Sequence, residues 1–174
     1  MRGLIERYVR ELVKIPSTSN TEMEKNCADY IAEELAKQPY FKVHPEQTGK
    51  YLLPEDSLGR SVPWGLVKGN GGSRKTIILT GHYDVVDTEE YGNERALAYD
   101  VEKWENLVKS GNVLPGMPDE VKEDFLSGDW MFGRGTADMK GGLSVGLVLL
   151  DWYGKIVAEA EGKASSVAVS EAEV

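Results

Sequence analysis

The sequence predicts an α/β fold, in which a largely parallel sheet is flanked by helices. Two amphipathic helical segments open the chain, two apolar strands follow, and a further apolar helix begins near residue 138. Strands interspersed with helices are typical of parallel sheets, whose buried strands read as continuous apolar runs. The chain has 174 residues, which is enough for one domain and its core.

Two helices are predicted at the beginning of the chain. Leu4, Tyr8 and Leu12 recur at helical spacing. The first helix should stop before Pro16, because a residue that precedes proline avoids the helical region. Pro39 should end the second helix, one face of which carries Cys27, Ala28, Ile31 and Leu35. As the single cysteine, Cys27 allows no internal disulfide, and we interpret it as a buried core residue.

The predicted strands lie between residues 41 and 80. Residues 41–44 should form a short strand, and residues 46–60 should be polar and irregular. Residues 62–68 are predicted as a strand. After a glycine-rich turn, residues 75–80 (KTIILT) should be a strongly buried strand.

The remainder of the chain is predicted as a long insertion followed by a helix. Residues 86–127 show little periodicity, which favours a functional loop with one or two helical turns at 101–107. Residues 130–132 should be extended. Residues 138–153 should be a helix buried against the sheet, and residues 166–169 another strand.

Composition excludes several classes of partner. The formal net charge is −9 and the pI is about 4.8, so we expect neither nucleic acid nor an anionic membrane surface as a partner. The longest apolar run, residues 143–150, is shorter than the roughly 20 residues that a membrane span needs. The first 14 residues are charged and helical in pattern, unlike a signal peptide. We therefore expect a cytoplasmic protein.

A first candidate site follows the strand at residues 75–80. His82 lies directly after it, and sites in open α/β sheets gather at the carboxyl ends of strands. Asp84 is two residues on, so it can point the same way as His82. A metal-bound imidazole commonly donates its other nitrogen's proton to a carboxylate. The alternative is a surface histidine beside a solvated aspartate.

A second candidate site is the glycine-rich segment that ends at Asp138. Its glycines allow a tight turn, and Asp138 would enter a helix N-terminus. A carboxylate at this position can cap the helix, or it can coordinate two cations with one oxygen each. Spacing alone leaves both interpretations open.

Together these segments resemble the M20 family of zinc metallopeptidases and amidohydrolases. The resemblance rests on residues 81–86 (GHYDVV), residues 133–142 (GRGTADMKGG) and residues 15–19 (IPSTS). Asp87, Tyr91, Gly92 and the long insertion most resemble the arginine-utilisation subgroup of that family. The resemblance is strong over residues 1–153, and residues 154–174 form an uncertain tail. It implies a three-layer, phosphorylase/hydrolase-like catalytic domain that is incomplete.

The resemblance also implies roles for particular residues. His82 would bind one zinc ion and Asp138 would bridge two. Asp84 would be a catalytic residue that orients His82. In such a site the metals polarise an amide carbonyl and activate a water, and a glutamate acts as the general base. The implied substrates are small peptides or acylated amino acids.

The tail departs from the family's pattern. A Glu-Glu pair should supply the general base and then a metal ligand, and counting from Asp138 reaches Ala172 and Glu173. Glu173 would then be a ligand, with alanine at the position of the base. In the other register Glu171 takes the place of the base, and Ala172 falls where the ligand should be. The tail can also be unrelated to this pair.

Two functional hypotheses follow. The first is a zinc-dependent hydrolase of amide or peptide bonds. The alternative is a truncated, catalytically inactive remnant that acts at most as a metal- or partner-binding domain. The absence of the family's later acidic and histidine ligands, and of its smaller lid or dimerisation domain, favours the alternative for activity. An incomplete sheet should also expose apolar surface, which predicts self-association.

Overall fold

The structure is a computed structural model that describes residues 1–111 and 116–172, with side chains described as far as residue 161. Over these residues the α-helices are α1 (Arg2–Lys14), α2 (Met23–Lys37), α3 (Pro39–Val43), α4 (Val101–Ser110), α5 (Asp119–Ser127) and α6 (Lys140–Ala172). Two segments are 3-10 helical, Pro45–Gln47 and Glu89–Tyr99, and the strands are β1 (Thr48–Leu52) and β2 (Ser61–Gly65).

The first two helices confirm their predictions and form much of the core. α1 ends at Lys14, two residues before Pro16, as the restricted backbone before proline requires. The predicted apolar face of α2 is buried throughout. The main core joins these helices to α3 and α6 through Tyr8, Leu12, Cys27, Ile31, Leu35, Tyr40, Phe41, Leu147, Val148 and Val157.

The strand predicted at residues 41–44 is wrong, because this segment is mostly the short helix α3. Pro39 begins α3, where its missing N–H costs no helical hydrogen bond. Tyr40 and Phe41, which are adjacent in sequence, are both buried. A strand would have sent their side chains to opposite faces, and helix α3 places both in the main core.

The sheet is two-stranded and antiparallel in the described part of the chain. β2 lies in the segment predicted as a strand, and it pairs with β1 so that Thr48 is opposite Gly65 and Leu52 is opposite Ser61. β1 falls within residues 46–60, which we predicted to be irregular. Its sequence, TGKYL, has little apolar alternation, so the hydrogen bonds to β2 decide its conformation. Helices and sheet together are consistent with an α/β fold, without the three-layer parallel sheet that we predicted.

Residues 75–80 do not form the buried strand that was predicted. The segment has no assigned helix or strand, and Ile77 and Ile78 are 85% and 81% exposed. A strand needs backbone partners on a neighbouring strand. No neighbouring strand is present among the described residues, so the apolar pattern alone does not produce one.

The insertion is more ordered than predicted. α4 extends the helical turns predicted at 101–107, and α5 was not predicted. Trp104 and Phe125 are buried and form a small aromatic cluster with Phe132, whose ring centroid lies 5.7 Å from that of Trp104. This cluster (Leu97, Trp104, Phe125 and Phe132) is separate from the main core.

Helix α6 is longer than predicted. Its backbone remains helical to Ala172, so the strand predicted at residues 166–169 is wrong. It lies against α1 and α3 rather than against a sheet, and Val145, Trp152 and Ile156 are more than two-fifths exposed. Residues Lys140–Glu161 are long and apolar enough to cross a membrane by length and composition, a test that core helices of soluble proteins also pass.

Candidate metal centre

The backbone around His82 is held by the segment that follows α1. Thr18 and Val85 form an isolated parallel bridge. The amide of Val85 donates to the carbonyl of Ser17 at 2.9 Å, and the amide of Ser19 donates to the carbonyl of Val85 at 2.9 Å. The Ser17 hydroxyl also donates to the carbonyl of Tyr83 at 2.6 Å. Residues 17–19 therefore fix the direction of residues 83–85.

The glycine-rich loop before α6 lies against that segment. Gly135 has a φ of 83°, a left-handed conformation that favours glycine, and a Cβ there would lie 2.8 Å from Cγ1 of Val85. The loop's other anchor is Lys140, which is fully buried. Its ammonium donates to the carbonyl of Leu12 at 2.8 Å and to that of Ile15 at 2.6 Å, at the C-terminal end of α1. Burial lowers the pKa of Lys140 to about 8.

These two supports bring the predicted site residues together. Nε2 of His82 lies 2.9 Å from Oδ1 of Asp138, although 56 residues separate them. Nδ1 of His82 lies 3.1 Å from the carbonyl oxygen of Asp84 and 3.2 Å from its Oδ1. The imidazole therefore sits between two aspartates, with acceptors at both nitrogens.

The two aspartates raise the pKa of His82. The hydrogen bond to Asp138 is the main cause that raises the pKa of His82, and the carbonyl and charge of Asp84 act in the same direction. The side chain of His82 is 48% exposed and that of Asp138 is 87% exposed, so water screens part of the effect.

Asp138 makes no described capping hydrogen bond to α6. Asp138 lies in a turn, two residues before the first residue of α6. Its described hydrogen bond is to His82 rather than to an amide of the helix. This geometry matches the ligand interpretation better than the N-cap interpretation.

A cavity of about 300 Å³ opens at this pair. Its lining comes from the segment before α2, the His82 segment and the glycine-rich loop: Ser19, His82, Asp84, Val85, Val86, Gly133, Arg134, Gly135, Thr136, Ala137 and Asp138. A larger, shallower depression of about 480 Å³ lies on the insertion and is lined by Glu94, Leu97, Lys103, Asn106, Leu107 and Ser110. We favour the smaller cavity as the functional site, because the histidine and both aspartates line it.

The donor set suits zinc chemically but is only part of a site. An imidazole nitrogen and a carboxylate oxygen are ordinary zinc ligands, and a carboxylate on the opposite ring nitrogen is their usual companion. Two ligands of a tetrahedral zinc ion lie about 3.3 Å apart, so His82 and Asp138 would need to separate slightly. Among the described residues, no group of three or more His, Cys, Asp or Glu side chains could hold a metal ion.

The predicted residues of the tail lie outside the part of the chain whose side chains the structure describes. Ala172 is the last residue of α6, and Glu173 lies outside the described residues. The role predicted for Glu173 as a ligand therefore stays a prediction.

Sequence reasoning missed two contributors to the site. The Ser19 hydroxyl donates to Oδ2 of Asp84 at 2.6 Å. Arg134 pairs with Glu90 of the insertion, its guanidinium lies 5.3 Å from the ring centroid of Tyr91, and its amide donates to the carbonyl of Ala98 at 2.6 Å. The hydroxyl-rich segment 17–19 was a visible signal for the first. No local pattern pointed to the second.

Comparison with known proteins supports a relationship over most of the chain. The chain is 34% identical to Protein RocB of Bacillus subtilis (strain 168) over 146 residues, which cover 84% of this chain. It is 38% identical to the uncharacterized protein YqjN of the same organism over 141 residues, or 80% of this chain. The matched regions are 25% and 24% of those proteins, so the chain spans about a quarter of their length.

The other comparisons add no further relationship. No family model matches the chain, and no solved structure matches it significantly. The similarity to RocB and YqjN supports a RocB-like relationship for this chain. The resemblance to the M20 family rests on the sequence motifs.

Proposed function

We propose that this chain forms part of a zinc-dependent hydrolase of the M20 peptidase type, which cleaves amide or peptide bonds of small substrates. The observation that carries the proposal is the 2.9 Å contact between Nε2 of His82 and Oδ1 of Asp138, with Asp84 at the other ring nitrogen. The motif segments are far apart in sequence, and their meeting in one cavity is what a shared metal centre requires. The similarity to RocB supports an arginine-utilisation relative.

The residues of this chain would do three things in that reaction. Nε2 of His82 and the carboxylate of Asp138 would hold zinc, which supplies Lewis acidity toward an amide carbonyl and a bound water. Asp84 would keep the proton on Nδ1 of His82, so that the Nε2 lone pair faces the metal. Gly135 would let the loop pack closely against Val85 and so hold Asp138 beside His82.

The proposed enzyme needs groups beyond the described residues. A general base and further ligands are required, and Glu173 is one candidate ligand. The three-layer sheet also belongs to the proposal. The proposed substrates are small peptides or acylated amino acids, the proposed metal is zinc, and the proposed location is the cytoplasm.

A second candidate function is a non-catalytic metal- or partner-binding domain. The observation that favours it is that no group of three or more His, Cys, Asp or Glu side chains among the described residues could hold a metal ion. Such a site would bind a metal ion weakly and would lack turnover.

One experiment separates the two candidates. Zinc content and zinc affinity of the purified chain would be measured by elemental analysis and calorimetry, beside hydrolysis of a panel of dipeptides and acylated amino acids. His82→Ala should abolish zinc-dependent turnover. His44→Ala is the matched control, because His44 is the other histidine of the chain and lies near Glu46 rather than in the cavity.

The outcomes distinguish the hydrolase from the non-catalytic domain. Turnover that needs zinc and is lost in His82→Ala would exclude the non-catalytic domain. Zinc binding without turnover would favour that domain. Less than one metal ion per chain, without turnover, would overturn the hydrolase proposal for this chain.

A further inference from the structure

The hydroxyl of Ser19 lies in the candidate site next to Asp84. It is 2.6 Å from Oδ2 of Asp84 and 3.2 Å from the carbonyl oxygen of Val85. A hydroxyl has one proton to donate, and the shorter contact is to a charged acceptor. The distance falls in the range of charge-assisted O–H···O⁻ bonds, which are stronger than bonds between neutral groups.

The two oxygens of Asp84 therefore have separate tasks. Oδ2 accepts from Ser19, and Oδ1 lies 3.2 Å from Nδ1 of His82, beside the Asp84 carbonyl oxygen at 3.1 Å. The terminal torsion of an aspartate is broad, so a carboxylate held at one oxygen alone can rotate. Fixing Oδ2 also fixes the direction of Oδ1 toward the imidazole.

The backbone of Ser19 is itself fixed. Its amide donates to the carbonyl of Val85 at 2.9 Å, beside the parallel bridge of Thr18 and Val85. The backbone pairing that holds the His82 segment therefore also positions the Ser19 hydroxyl. It does not depend on a flexible side chain that reaches across solvent.

We propose that Ser19 is a positioning residue of the metal centre, which acts through Asp84 to keep the proton of neutral His82 on Nδ1 and to leave Nε2 free for a metal ion. This role of Ser19 rests on the proposed function, in which His82 binds a metal ion. The geometry that carries it is the continuous chain from Ser19 to Asp84 to His82.

The test reads the tautomer of His82 directly. The chain has two histidines, so a ¹⁵N-histidine-labelled sample gives two ring systems, and His44→Gln assigns them. Long-range ¹H–¹⁵N spectra would be recorded at a pH where both rings are neutral. Because Oδ1 of Asp138 competes for a proton on Nε2 in the metal-free chain, the spectra are compared in the Asp138→Ala background. There we expect the Nδ1–H form of His82 to dominate and to fall clearly in Ser19→Ala. Ser19→Thr, which keeps the hydroxyl, should restore it.

Ser17→Ala is the matched control. The Ser17 hydroxyl donates to the carbonyl of Tyr83, so its loss removes a bond to the same segment without touching a carboxylate. Ser17 is fully buried. If its variant folds poorly, Thr21→Val replaces it, because the Thr21 hydroxyl donates to the carbonyl of Thr18 in the same turn. Either control should leave the tautomer of His82 unchanged.

The outcomes separate this proposal from the proposed function. Zinc affinity should fall about 10-fold in Ser19→Ala and stay unchanged in the control. An unchanged tautomer in Ser19→Ala, or an equal change in the control, would overturn the positioning role. If the tautomer responds as expected but the native chain binds no zinc, Ser19 positions His82 and the proposed function fails.

Discussion

At the scale of single residues, Lys140 links the candidate site to the core. It is fully buried, and its ammonium bonds two carbonyls at the end of α1 while its backbone begins α6. A cation near a helix C-terminus is favourable, and burial of the charge opposes it. The result is a lysine whose pKa is lowered to about 8.

Lys140 should make the free energy of unfolding depend on pH in the alkaline range. Its pKa is about 8 when folded and 10.5 when exposed, so between these values the unfolded chain binds more protons and stability rises with pH. Relative to Lys140→Met, the native chain should gain up to about 3 kcal/mol across this window. At the alkaline end the variant should be less stable by about 1–3 kcal/mol, because two carbonyls lose their donor.

The measurement is denaturant unfolding at several pH values. Lys155→Met is the control, since Lys155 is an exposed lysine of the same helix that pairs with Asp151. It should change stability by less than about 0.5 kcal/mol and leave the pH dependence as it is. Parallel pH profiles for the native chain and Lys140→Met would contradict the lowered pKa.

At the scale of elements, the insertion forms a small core of its own. Phe125 is fully buried, and its ring centroid lies 6.1 Å from that of Trp104 and 5.5 Å from that of Phe132. This aromatic cluster is joined to the rest through contacts such as Val101 against Val9 and Val13. The insertion should therefore be able to unfold locally while α1 and α2 stay folded.

Phe125→Ala tests this independence. Removal of the buried ring should cost about 3–5 kcal/mol within the insertion. Hydrogen exchange should show that amides of α4 and α5 lose protection while those of α1 and α2 keep it. Leu126→Ala is the control, because Leu126 is the next residue of α5 and is 53% exposed. A uniform loss of protection along the chain would mean that the insertion and main core unfold together.

At the scale of the whole molecule, apolar surface remains uncovered. Residues 77–79, which have no assigned helix or strand, are exposed, and α6 presents Val145, Trp152 and Ile156 to solvent. Unpaired extended segments with apolar side chains are sites of intermolecular pairing. We propose that the chain self-associates through this surface.

Light scattering checks the proposal. The native chain should associate at micromolar concentrations, and Ile78→Lys should reduce the average mass because a charge opposes burial of the segment. Val43→Lys is the control, since Val43 is a 72% exposed apolar residue of α3 and belongs to neither segment 77–79 nor α6. A monomeric native chain across that concentration range would argue against the proposal.

Several features were determined by the sequence itself. The helical spacing of Leu4 to Leu12 and the face around Cys27 located α1 and α2, because burial of one apolar stripe suffices to place a helix. The motifs around His82 and Asp138 identified the candidate site, because each carries its chemistry in a few adjacent residues.

Tertiary structure decided the rest. Residues 75–80 have the pattern of a buried strand and lie exposed, whereas β1 has little pattern and pairs with β2. A strand depends on partners that are distant in sequence, and local pattern does not specify them. For the same reason the sequence predicted His82, Asp84 and Asp138 as site residues without their contacts. Only the fold brings them within hydrogen-bonding distance and places the Ser19 hydroxyl next to Asp84.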